Sequence, residues 1–445
     1  MATKVTSSYK VKLMDHRKLL EQTVQIYRKA VVFLMDIANK EWNVLGPVYK
    51  KQKNKAQMML EHMVHATKNN PNPKYNFDTQ FYKFPSYFRR AALSTAIGAV
   101  AAYYSNLKNW EENGKNGKQP TLSFDRTDMP TFFKKEMSNS EEMLQGKQNI
   151  VLLKLFQNND WVFVPVHCRN QDVKYLVKWW STVRPSAPSL IIRRRKGRSS
   201  TYYLQYAFTE YRDLSLRDEE STKQTILAVD LGLNCDAVCS VMRADGTVMA
   251  RRFINFPREK DRMYHLLNRI KRLQRQHNRT GGKHEWAKVK RINDHLSQSI
   301  ASAIVNMASE YAVNVIVFEH LESGKKGHGK KKQRLHLWRK NGIQNIVEHK
   351  AHRDLIRISR ICAWGTSKLA FDGSGEVKRN ADNYSLCVFK SGKHYNSDLN
   401  ASYNIGARYF LREMCKVDPE LVEKLPKTSR RTYADLKNLK LTSAS

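Results

Sequence analysis

The feature that most constrains the fold is a short, wholly apolar run at residues 226–229 that leads directly into Asp230. An apolar run of this length is typical of a strand buried on both faces. Two further strand-like runs follow at 238–242 and 248–254, and the residues between them, 244–246, have the composition of a tight turn. Three adjacent strands therefore open an α/β layer.

The period of the apolar residues then changes to that of helices. Apolar side chains recur every three or four positions over 263–273, a strongly basic stretch, and again over 296–311. Further strands are predicted at 313–318 and 355–361, and a terminal segment with a helix start completes the set. This β-β-β-α-β order is the ribonuclease-H-like plan.

Three carboxylates lie at the ends of predicted strands or at a predicted helix start. Asp230 and Glu319 each follow an apolar strand, and Asp398 lies where a helix begins. A carboxylate at a buried strand end is costly unless it is paired or metal-bound. Any one of the three is more simply explained as a helix cap or as an arginine partner, so the hypothesis rests on their joint arrangement. Converging, they would form an oxygen-rich pocket suited to Mg²⁺ or Mn²⁺, as in two-metal nucleases.

The first half of the chain has a different character. After a strand-like segment at 5–13, residues 15–110 contain few glycines and prolines and read as helices, the clearest of them over 93–107. A polar break at 111–120 precedes short alternating runs as far as residue 210. These runs predict a β-rich domain, for which a small barrel is one arrangement.

The composition points to a polyanionic partner. The 445 residues contain 78 Lys and Arg against 41 Asp and Glu, a formal net charge of +37. An anionic membrane surface would also attract this charge, but the basic residues are spread along the chain rather than gathered on one amphipathic helix, and we expect no membrane association. Six scattered cysteines and the lack of a leader-like start lead us to expect a reducing, intracellular compartment.

Four basic segments are candidate nucleic-acid contacts, each with a plainer alternative as a solvated surface, a charged loop or, for the tryptophan, a core residue. They are a helix start, a run at 193–198 between two strands, the basic helix over 263–273, and a run beyond Glu319. The candidate residues are Arg89, Arg90, Arg193, Arg194, Arg195, Lys196, Arg272, Lys331, Arg334, Trp338 and Arg339.

Five stretches of the chain resemble one known group. DLGLN at 230–234, VNVIVFEHLE at 313–322 and SDLNASYNIGAR at 397–408 resemble the three RuvC motifs of the TnpB proteins of insertion sequences and of miniature type V CRISPR effectors. The stretches at 84–112 and 334–368 are similar to the same group, and the second contains a GTS triplet. The resemblance covers most of the chain from about 80 to 410.

The resemblance implies an RNA-guided, Mg²⁺- or Mn²⁺-dependent DNA endonuclease of the prokaryotic cytoplasm, associated with the nucleoid. Asp230, Glu319 and Asp398 would be its catalytic metal ligands. Its partners would be a guide RNA and target double-stranded DNA beside a short flanking motif, bound as monomer or homodimer. The implied fold is multidomain α+β: an N-terminal wedge-like β-barrel interrupted by a helical recognition insertion, then an RNase H-like (RuvC) α/β domain. The predicted divisions are a first barrel strand at 1–14, the helical insertion at 15–118, the barrel at 119–212, a linker at 213–224, RuvC parts at 225–361 and 397–417, a hairpin at 362–396 and a tail at 418–445.

One departure from the group concerns zinc. Its members usually carry a zinc ribbon with two cysteine pairs after the GTS triplet, and the corresponding positions here are Ala370, Gly373, Val388 and Ser391. These side chains cannot bind zinc, so we predict no structural zinc, although the hairpin itself can persist.

Two other functions remain open on the sequence. A guided DNA-binding repressor would have kept this fold and lost an acid, whereas all three acids are present here. An unguided nuclease or transposase would share the metal chemistry, but DDE transposases place Glu last rather than between two Asp.

Overall fold

The computed structural model of the chain describes residues 2–125, 129–180, 182–195, 197–217, 220, 223–232, 234–276, 282–320, 340–379, 383 and 385–443. The chain forms two compact units. One comprises residues 6–210, and the other comprises residues 1–5 and 211–445.

The unit of residues 6–210 combines helices with two small sheets. Its strands are β1 (Ala2–Lys12), β2 (Ser138–Asn139), β3 (Ile150–Gln157), β4 (Asp160–His167), β5 (Ser189–Arg195) and β6 (Arg198–Asp213). Its helices are α1 (Arg17–Lys40), α2 (Trp42–Lys51), α3 (Lys53–Val64), α4 (Phe77–Gln80), α5 (Ser86–Glu112), α6 (Lys134–Met137), α7 (Glu141–Leu144) and α8 (Asn170–Trp180).

The predicted strands of this unit are present, but the described strands do not close into the predicted barrel. They form two three-stranded sheets, ordered β1-β6-β5 and β2-β3-β4. Between the ends of β1 and β4 the described residues form one isolated bridge, Leu13 with Cys168, and the backbone hydrogen bond from Met14 N–H to the His167 oxygen at 2.9 Å. Because β2 pairs with β3 over only two positions, the second sheet ends where a barrel would need a continuous ladder.

Helices α1 and α5 form the centre of the helical layer. Apolar residues of α1 recur at helical spacing on one buried face, and those of α5 do the same. The Tyr27 and Phe88 rings meet edge to face with centroids 5.8 Å apart, which joins the two helices. The same core includes Leu153 and Leu155 of β3, so sheet and helices share one hydrophobic core.

The second unit is built on one larger sheet. Its strands are β7 (Thr225–Asp230), β8 (Ala237–Arg243), β9 (Val248–Ile254), β10 (Val315–His320), β11 (Arg357–Cys362), β12 (Lys378–Arg379), β13 (Leu386–Val388) and β14 (His394–Asn396). Its helices are α9 (Pro257–Arg275), α10 (Lys283–Glu310), α11 (Lys340–Arg353), α12 (Ser397–Val417), α13 (Leu421–Lys424) and α14 (Tyr433–Ser443).

Five of these strands form a mixed sheet in the order β11-β10-β7-β8-β9. Strands β7, β8 and β9 are an antiparallel meander, and Gly246 occupies its second turn with a φ of +78°. Strand β10 then lies parallel to β7, on the side away from β8, and β11 lies parallel to β10. The strand and helix order predicted from the sequence is therefore present.

Helices cover both faces of this sheet. Leu227, Val229 and Phe318 pack into a core that also contains residues of α10 and α11. Alternate residues of the same strands, Ile226 and Ala228 among them, pack into a second core with α12 and α14. Burial on both faces explains why the strands are apolar runs rather than alternating ones. Among the described helices, none combines the length and apolar composition needed to cross a lipid bilayer.

Candidate active site

The first two candidate acids lie on neighbouring parallel strands and point to the same side of the sheet. The β7–β10 register pairs Val229 with Phe318, so Asp230 and Glu319 each come one residue after a paired position. Side chains alternate along a strand, so Asp230 shares the side of Ile226 and Ala228, which is the side that α12 covers. Both carboxylates therefore lie on the face of the sheet that is covered by α12, the helix that carries Asp398.

Asp398 reaches this place because α12 begins there. The Asn396 side chain caps the helix by accepting hydrogen bonds from the backbone N–H groups of Asp398 (3.1 Å) and Leu399 (2.9 Å). A carboxylate in the first turn is also favoured by the helix dipole. The loop after β7 lies close by, since a Cβ added to Gly232 would stand 3.7 Å from Oδ2 of Asp398.

Small and amide side chains set α12 closely against the sheet. The hydroxyls of Ser240 and Ser402 lie 2.6 Å apart, and a Cβ at Gly406 would stand 3.0 Å from the Met242 sulfur. On the buried side of the helix, the amide of Asn404 donates to the backbone oxygens of Thr366 and Leu369, both at 2.9 Å. These contacts fix the depth of the helix, and with it the position of Asp398.

The pKa shifts show that the three acids share one electrostatic environment. Burial, followed by the charges of Glu319 and Asp398, raises the pKa of Asp230 well above its ordinary value. Burial also raises the pKa of Asp398, against a hydrogen bond from Ser397 that lowers it. Asp230 and Asp398 are more than 150 residues apart in the sequence. Asp230 ends β7, Asp398 lies at the start of α12, and these two elements meet, so the three acids form one cluster.

Glu319 is held by the segment that contains the GTS triplet. The Thr366 hydroxyl donates a hydrogen bond to Oε1 of Glu319, and the Gln344 amide donates to the Glu319 backbone oxygen at 3.2 Å. Thr366 is itself buried, and its backbone oxygen is the one that accepts from Asn404. The triplet therefore connects β10 to α12.

Arg379 is the one cation whose charge lowers the pKa of both Asp230 and Asp398 among the described residues. It ends the two-residue strand β12 and donates to the Ser367 backbone oxygen at 3.3 Å. The sequence analysis did not identify it, because an arginine in a hairpin of mixed composition carries no periodic signal. A positive charge near Asp230 and Asp398 is suited to an anionic oxygen of a substrate.

The chemistry of the cluster fits a hard divalent cation. Its donors are carboxylate oxygens, and the pKa of Asp230 is raised by burial and then by the charges of Glu319 and Asp398, both of which a bound cation would offset. Their present positions are not those of a closed ligand set: in the described part of the chain, no three His, Cys, Asp or Glu side chains are arranged to hold a metal ion. The three acids thus supply the donor atoms that a divalent cation needs. To bind one, their side chains must move closer to one another.

The hairpin that follows the GTS triplet has an aromatic core. Strands β12, β13 and β14 pair antiparallel, and the buried Cys387 packs with Ala370 and Phe389. The Phe371 ring meets Phe389 and Tyr395 at centroid distances of 5.4 and 5.0 Å. These rings form the core of the hairpin.

The candidate nucleic-acid residues at the start of α5 are in different environments. Arg89 is 8% exposed, and its Nε lies 3.4 Å from a carboxylate oxygen of Glu61. Its contact with nucleic acid stays a prediction. Arg90, by contrast, is exposed.

The basic run at 193–198 lies at the tip of the β5–β6 hairpin, as the sequence predicts. Arg193 and Arg194 are exposed; Arg194 pairs with Glu21 at 3.0 Å, and Arg193 lies over the Tyr203 ring at 6.0 Å. Arg272 is exposed on α9. The remaining candidates, the side chain of Arg195 and the residues Lys196, Lys331, Arg334, Trp338 and Arg339, lie outside the described part of the chain.

A basic cleft between α9 and α10 was not identified from the sequence. It has a volume of about 580 Å³ and is lined by Arg258, Glu259, Arg262, Lys288, Arg291, Ile292 and His295. The three arginines are exposed, and within the described residues neither they nor the lysine forms an ion pair. The helical spacing of these basic residues on two successive helices can be seen in the sequence. That they face each other across a cleft depends on how the two helices pack.

Comparison with known proteins gives two kinds of match. A sequence profile of the Aq_aa04 family matches residues 5–157. The curated "Uncharacterized protein aq_aa04" of Aquifex aeolicus (strain VF5) is 32% identical over 108 residues, which are 22% of this chain and 60% of that protein. The chain thus spans less than two thirds of this relative.

Among solved structures, the chain is similar to Cas12f1 in its complex with sgRNA and target DNA. The TM-score is 0.50 at 16% identity, over 87% of this chain and 81% of that one. It is also similar to Alicyclobacillus acidoterrestris C2c1 in complex with single-guide RNA, at a TM-score of 0.42 and 11% identity, over 88% and 70%. The first match shows that this chain has a mixed α+β fold like that of Cas12f1.

Proposed function

We propose that this chain is an RNA-guided DNA endonuclease, of the kind of the miniature type V effectors and TnpB proteins, with a single RuvC-type centre formed by Asp230, Glu319 and Asp398. The observation that carries the proposal is the meeting of three acids from distant parts of the chain at one end of the β7–β10 strand pair. The sheet order β11-β10-β7-β8-β9 supports a ribonuclease-H-like domain, and the fold match with Cas12f1 supports the wider architecture.

Each side chain has a distinct task in this proposal. The three acids would hold Mg²⁺ or Mn²⁺, which when bound supplies activated water and neutralises charge on the scissile phosphate. Thr366 orients Glu319, and Asn396 orients the start of α12. Arg379 lies where it can neutralise an anionic oxygen without occupying the acids' own positions.

The basic surfaces suit the polyanions that such an enzyme must hold. A net charge of +37 supports binding to guide RNA and to DNA together. The cleft between α9 and α10 gathers three arginines and a lysine against one glutamate, and this positive charge favours the binding of anions such as phosphates. Base pairing with the guide would supply sequence specificity, and the protein would read a short flanking DNA motif.

Two rival functions predict different behaviour. A guided repressor would bind its target without cutting, but the presence of all three acids and the effect of Glu319 and Asp398 on the pKa of Asp230 favour a nuclease. An unguided nuclease would cut without a defined RNA. The second rival does not account for a separate unit of about 200 residues that contains no part of the acid cluster.

The test begins with the bound RNA. The protein is expressed with its native flanking locus and purified, and the RNA that copurifies is sequenced. The complex is then incubated with Mg²⁺ and a target library with randomised flanks, beside Asp230→Ala. We expect one discrete RNA class, cleavage next to a defined flank, and loss of cleavage but not of RNA in the variant.

Each other result has a definite meaning. Discrete RNA with target binding but no cleavage would identify a repressor. Cleavage with no defined RNA would contradict guidance. Equal cleavage by Asp230→Ala would remove the proposed centre.

A further inference from the structure

Helix α8 carries an unusual solvent face. Its buried side consists of Asp172, Val173, Leu176 and Trp180. The opposite side alternates cations with large rings: Lys174, Tyr175, Lys178 and Trp179 are all exposed. Tyr175 is 41% exposed and Trp179 55%, which places two aromatic rings on the water side of an eleven-residue helix.

One of these rings stacks on a ring of β1. The rings of Tyr9 and Tyr175 are nearly parallel, with centroids 4.5 Å apart and an angle of 17° between their planes. Trp179 lies beside this pair, one helical turn further on, with its centroid 6.5 Å from that of Tyr175 and its plane tilted by 46°. The ammonium group of Lys178 lies 5.0 Å from the Trp179 ring centre.

A buried carboxylate holds the base of this stack in place. Asp172 is 1% exposed and accepts hydrogen bonds from the Tyr9 hydroxyl (3.3 Å) and the Lys12 backbone N–H (2.9 Å). Arg169 donates to both of its oxygens, at 3.0 and 2.6 Å. Because α8 and β1 are joined through this group, the rings are pre-ordered before any ligand binds.

We propose that Tyr9, Tyr175 and Trp179 form a stacking platform for unpaired bases of a single nucleic-acid strand, with Lys174 and Lys178 contacting its phosphates. Aromatic rings that alternate with cations are the chemistry by which proteins bind single strands without reading their sequence. The identification of that strand as unpaired guide RNA rests on the proposed function; single-stranded DNA has the same chemistry.

A protein partner is the less suitable occupant. Tyrosine and tryptophan are common in protein interfaces, but lysine is depleted there, and here it alternates with the rings. The chain's charge of +37 also favours a polyanion over a protein surface of ordinary charge. A single nucleic-acid strand therefore suits both kinds of side chain on this face, because its bases can stack on the rings and its phosphates can contact the lysines.

The experiment measures binding by the full-length protein, freed of copurifying RNA, at several salt concentrations. The probes are an unstructured 20-nucleotide RNA, DNA of the same sequence, and the RNA paired with its complement, with probe length chosen on the order of one or two binding-site sizes. The variants are Trp179→Ala, Tyr175→Ala combined with Trp179→Ala, and Lys174→Gln combined with Lys178→Gln. Trp179→Phe keeps a ring, and Tyr211→Ala removes an exposed ring elsewhere.

We expect the two kinds of variant to differ in salt dependence. The double aromatic variant should weaken single-strand binding by about 5- to 50-fold with an unchanged salt slope, because stacking releases no counterions. The double lysine variant should lower the slope by about 1.4, since each phosphate contact contributes about 0.7. Trp179→Phe and Tyr211→Ala should bind like the unaltered protein, and duplex binding should change little in all of them.

Other results would overturn the platform. Unchanged single-strand affinity in both Trp179→Ala and the double aromatic variant would do so, as would an equal loss of duplex affinity. A change of oligomeric state with RNA affinity retained would identify the face as a protein interface instead. Stronger effects on the DNA probe than on the RNA probe would assign the strand to DNA. If guided cleavage persists while the platform fails, only this inference is lost; if unaltered protein neither carries RNA nor cuts, the proposed function fails.

Discussion

The Thr366 hydroxyl donates a hydrogen bond to the carboxylate of Glu319, although the two residues belong to different elements. A carboxylate at a strand end can rotate freely, and this bond selects one orientation of it. Thr366 is 2% exposed, so water does not compete for the contact. We therefore expect the GTS triplet to affect cleavage by orienting Glu319.

Thr366→Val removes this donor while keeping the shape of the side chain. We expect DNA cleavage to fall by about 10- to 100-fold, as is usual when a group that orients a metal ligand is lost. RNA binding should be unchanged, because Thr366 is buried and its hydroxyl is bonded to Glu319 rather than presented at a basic surface. The comparison is of cleavage rates over a Mg²⁺ titration.

Thr366→Ser is the matched control, because it restores a hydroxyl at the same place. Its rate should return to within about threefold of the unaltered protein's, a difference of less than 1 kcal/mol. Full activity of Thr366→Val at every Mg²⁺ concentration would show that Glu319 needs no such partner.

Asp230→Asn should stabilise the protein in the absence of metal while abolishing cleavage. The pKa of Asp230 is raised in the folded state by burial and by Glu319 and Asp398, so its ionised form opposes folding. An amide removes this charge at nearly constant volume. We expect a higher melting temperature in EDTA at neutral pH, each kcal/mol corresponding to about 2–4 °C.

The pH dependence has a definite sign. Because the folded pKa of Asp230 lies above the unfolded value, the destabilisation is absent below the unfolded pKa, grows as pH rises through the folded pKa, and is constant beyond it. The difference in melting temperature between Asp230→Asn and the unaltered protein should therefore widen from about pH 4 upward. A difference independent of pH, or one of opposite sign, would mean that the pKa of Asp230 is not raised in the folded protein.

Gly232→Ala should disturb the loop that lies against Asp398. A Cβ at this position would stand only 2.6 Å from the backbone oxygen of Cys235 and 3.7 Å from Oδ2 of Asp398. The backbone must shift to accommodate it, so we expect cleavage to fall by about 10-fold or more, since small displacements of catalytic groups are costly. Cleavage rate and melting temperature are measured together.

Gly98→Ala is the control for this change. Gly98 lies inside α5, and a Cβ there would meet nothing within 4 Å. Replacing a helical glycine with alanine at an open position is expected to stabilise by about 0.5–1 kcal/mol. Equal loss of activity in both variants would exclude a local effect at Asp398.

The alternation of side chains along a strand places Asp230 on the same side as Ile226 and Ala228, and this much can be read from the sequence. Which helix covers that side depends on the tertiary fold. The register that brings Asp230 level with Glu319 could not be predicted, because it depends on pairing between segments about 90 residues apart. The meeting of the acids is therefore a property of the tertiary fold.

Other features left too weak a signal. Strand alternation predicted the β-rich block, but it does not reveal that β2 is too short to continue a barrel. Arg379 lies on a two-residue strand, below the length at which periodicity is informative. The rings of α8 do have helical spacing in the sequence, yet their stacking with Tyr9 joins segments more than 160 residues apart.

Arg408, at the end of the third motif, is the residue whose substitution we expect to lower both stability and activity most directly. It is 2% exposed, and its guanidinium donates to the backbone oxygens of Cys362, Trp364, Ser429 and Arg431 at 2.8–2.9 Å. Two of these acceptors precede Thr366 by a few residues, so Arg408 holds the loop that orients Glu319. Lysine keeps the charge but cannot reach four acceptors with the same planar geometry.

For Arg408→Lys we expect the free energy of unfolding to fall by about 2–4 kcal/mol, because buried carbonyl groups lose their donors. Cleavage should fall further than stability explains, since the Thr366 loop is released even in folded molecules. Rates are therefore compared at a temperature where the variant is fully folded by circular dichroism, with the exposed Arg430→Lys as the control. Normal cleavage by folded Arg408→Lys would separate the two roles, leaving Arg408 a purely structural residue and Thr366 positioned by Asn404 alone.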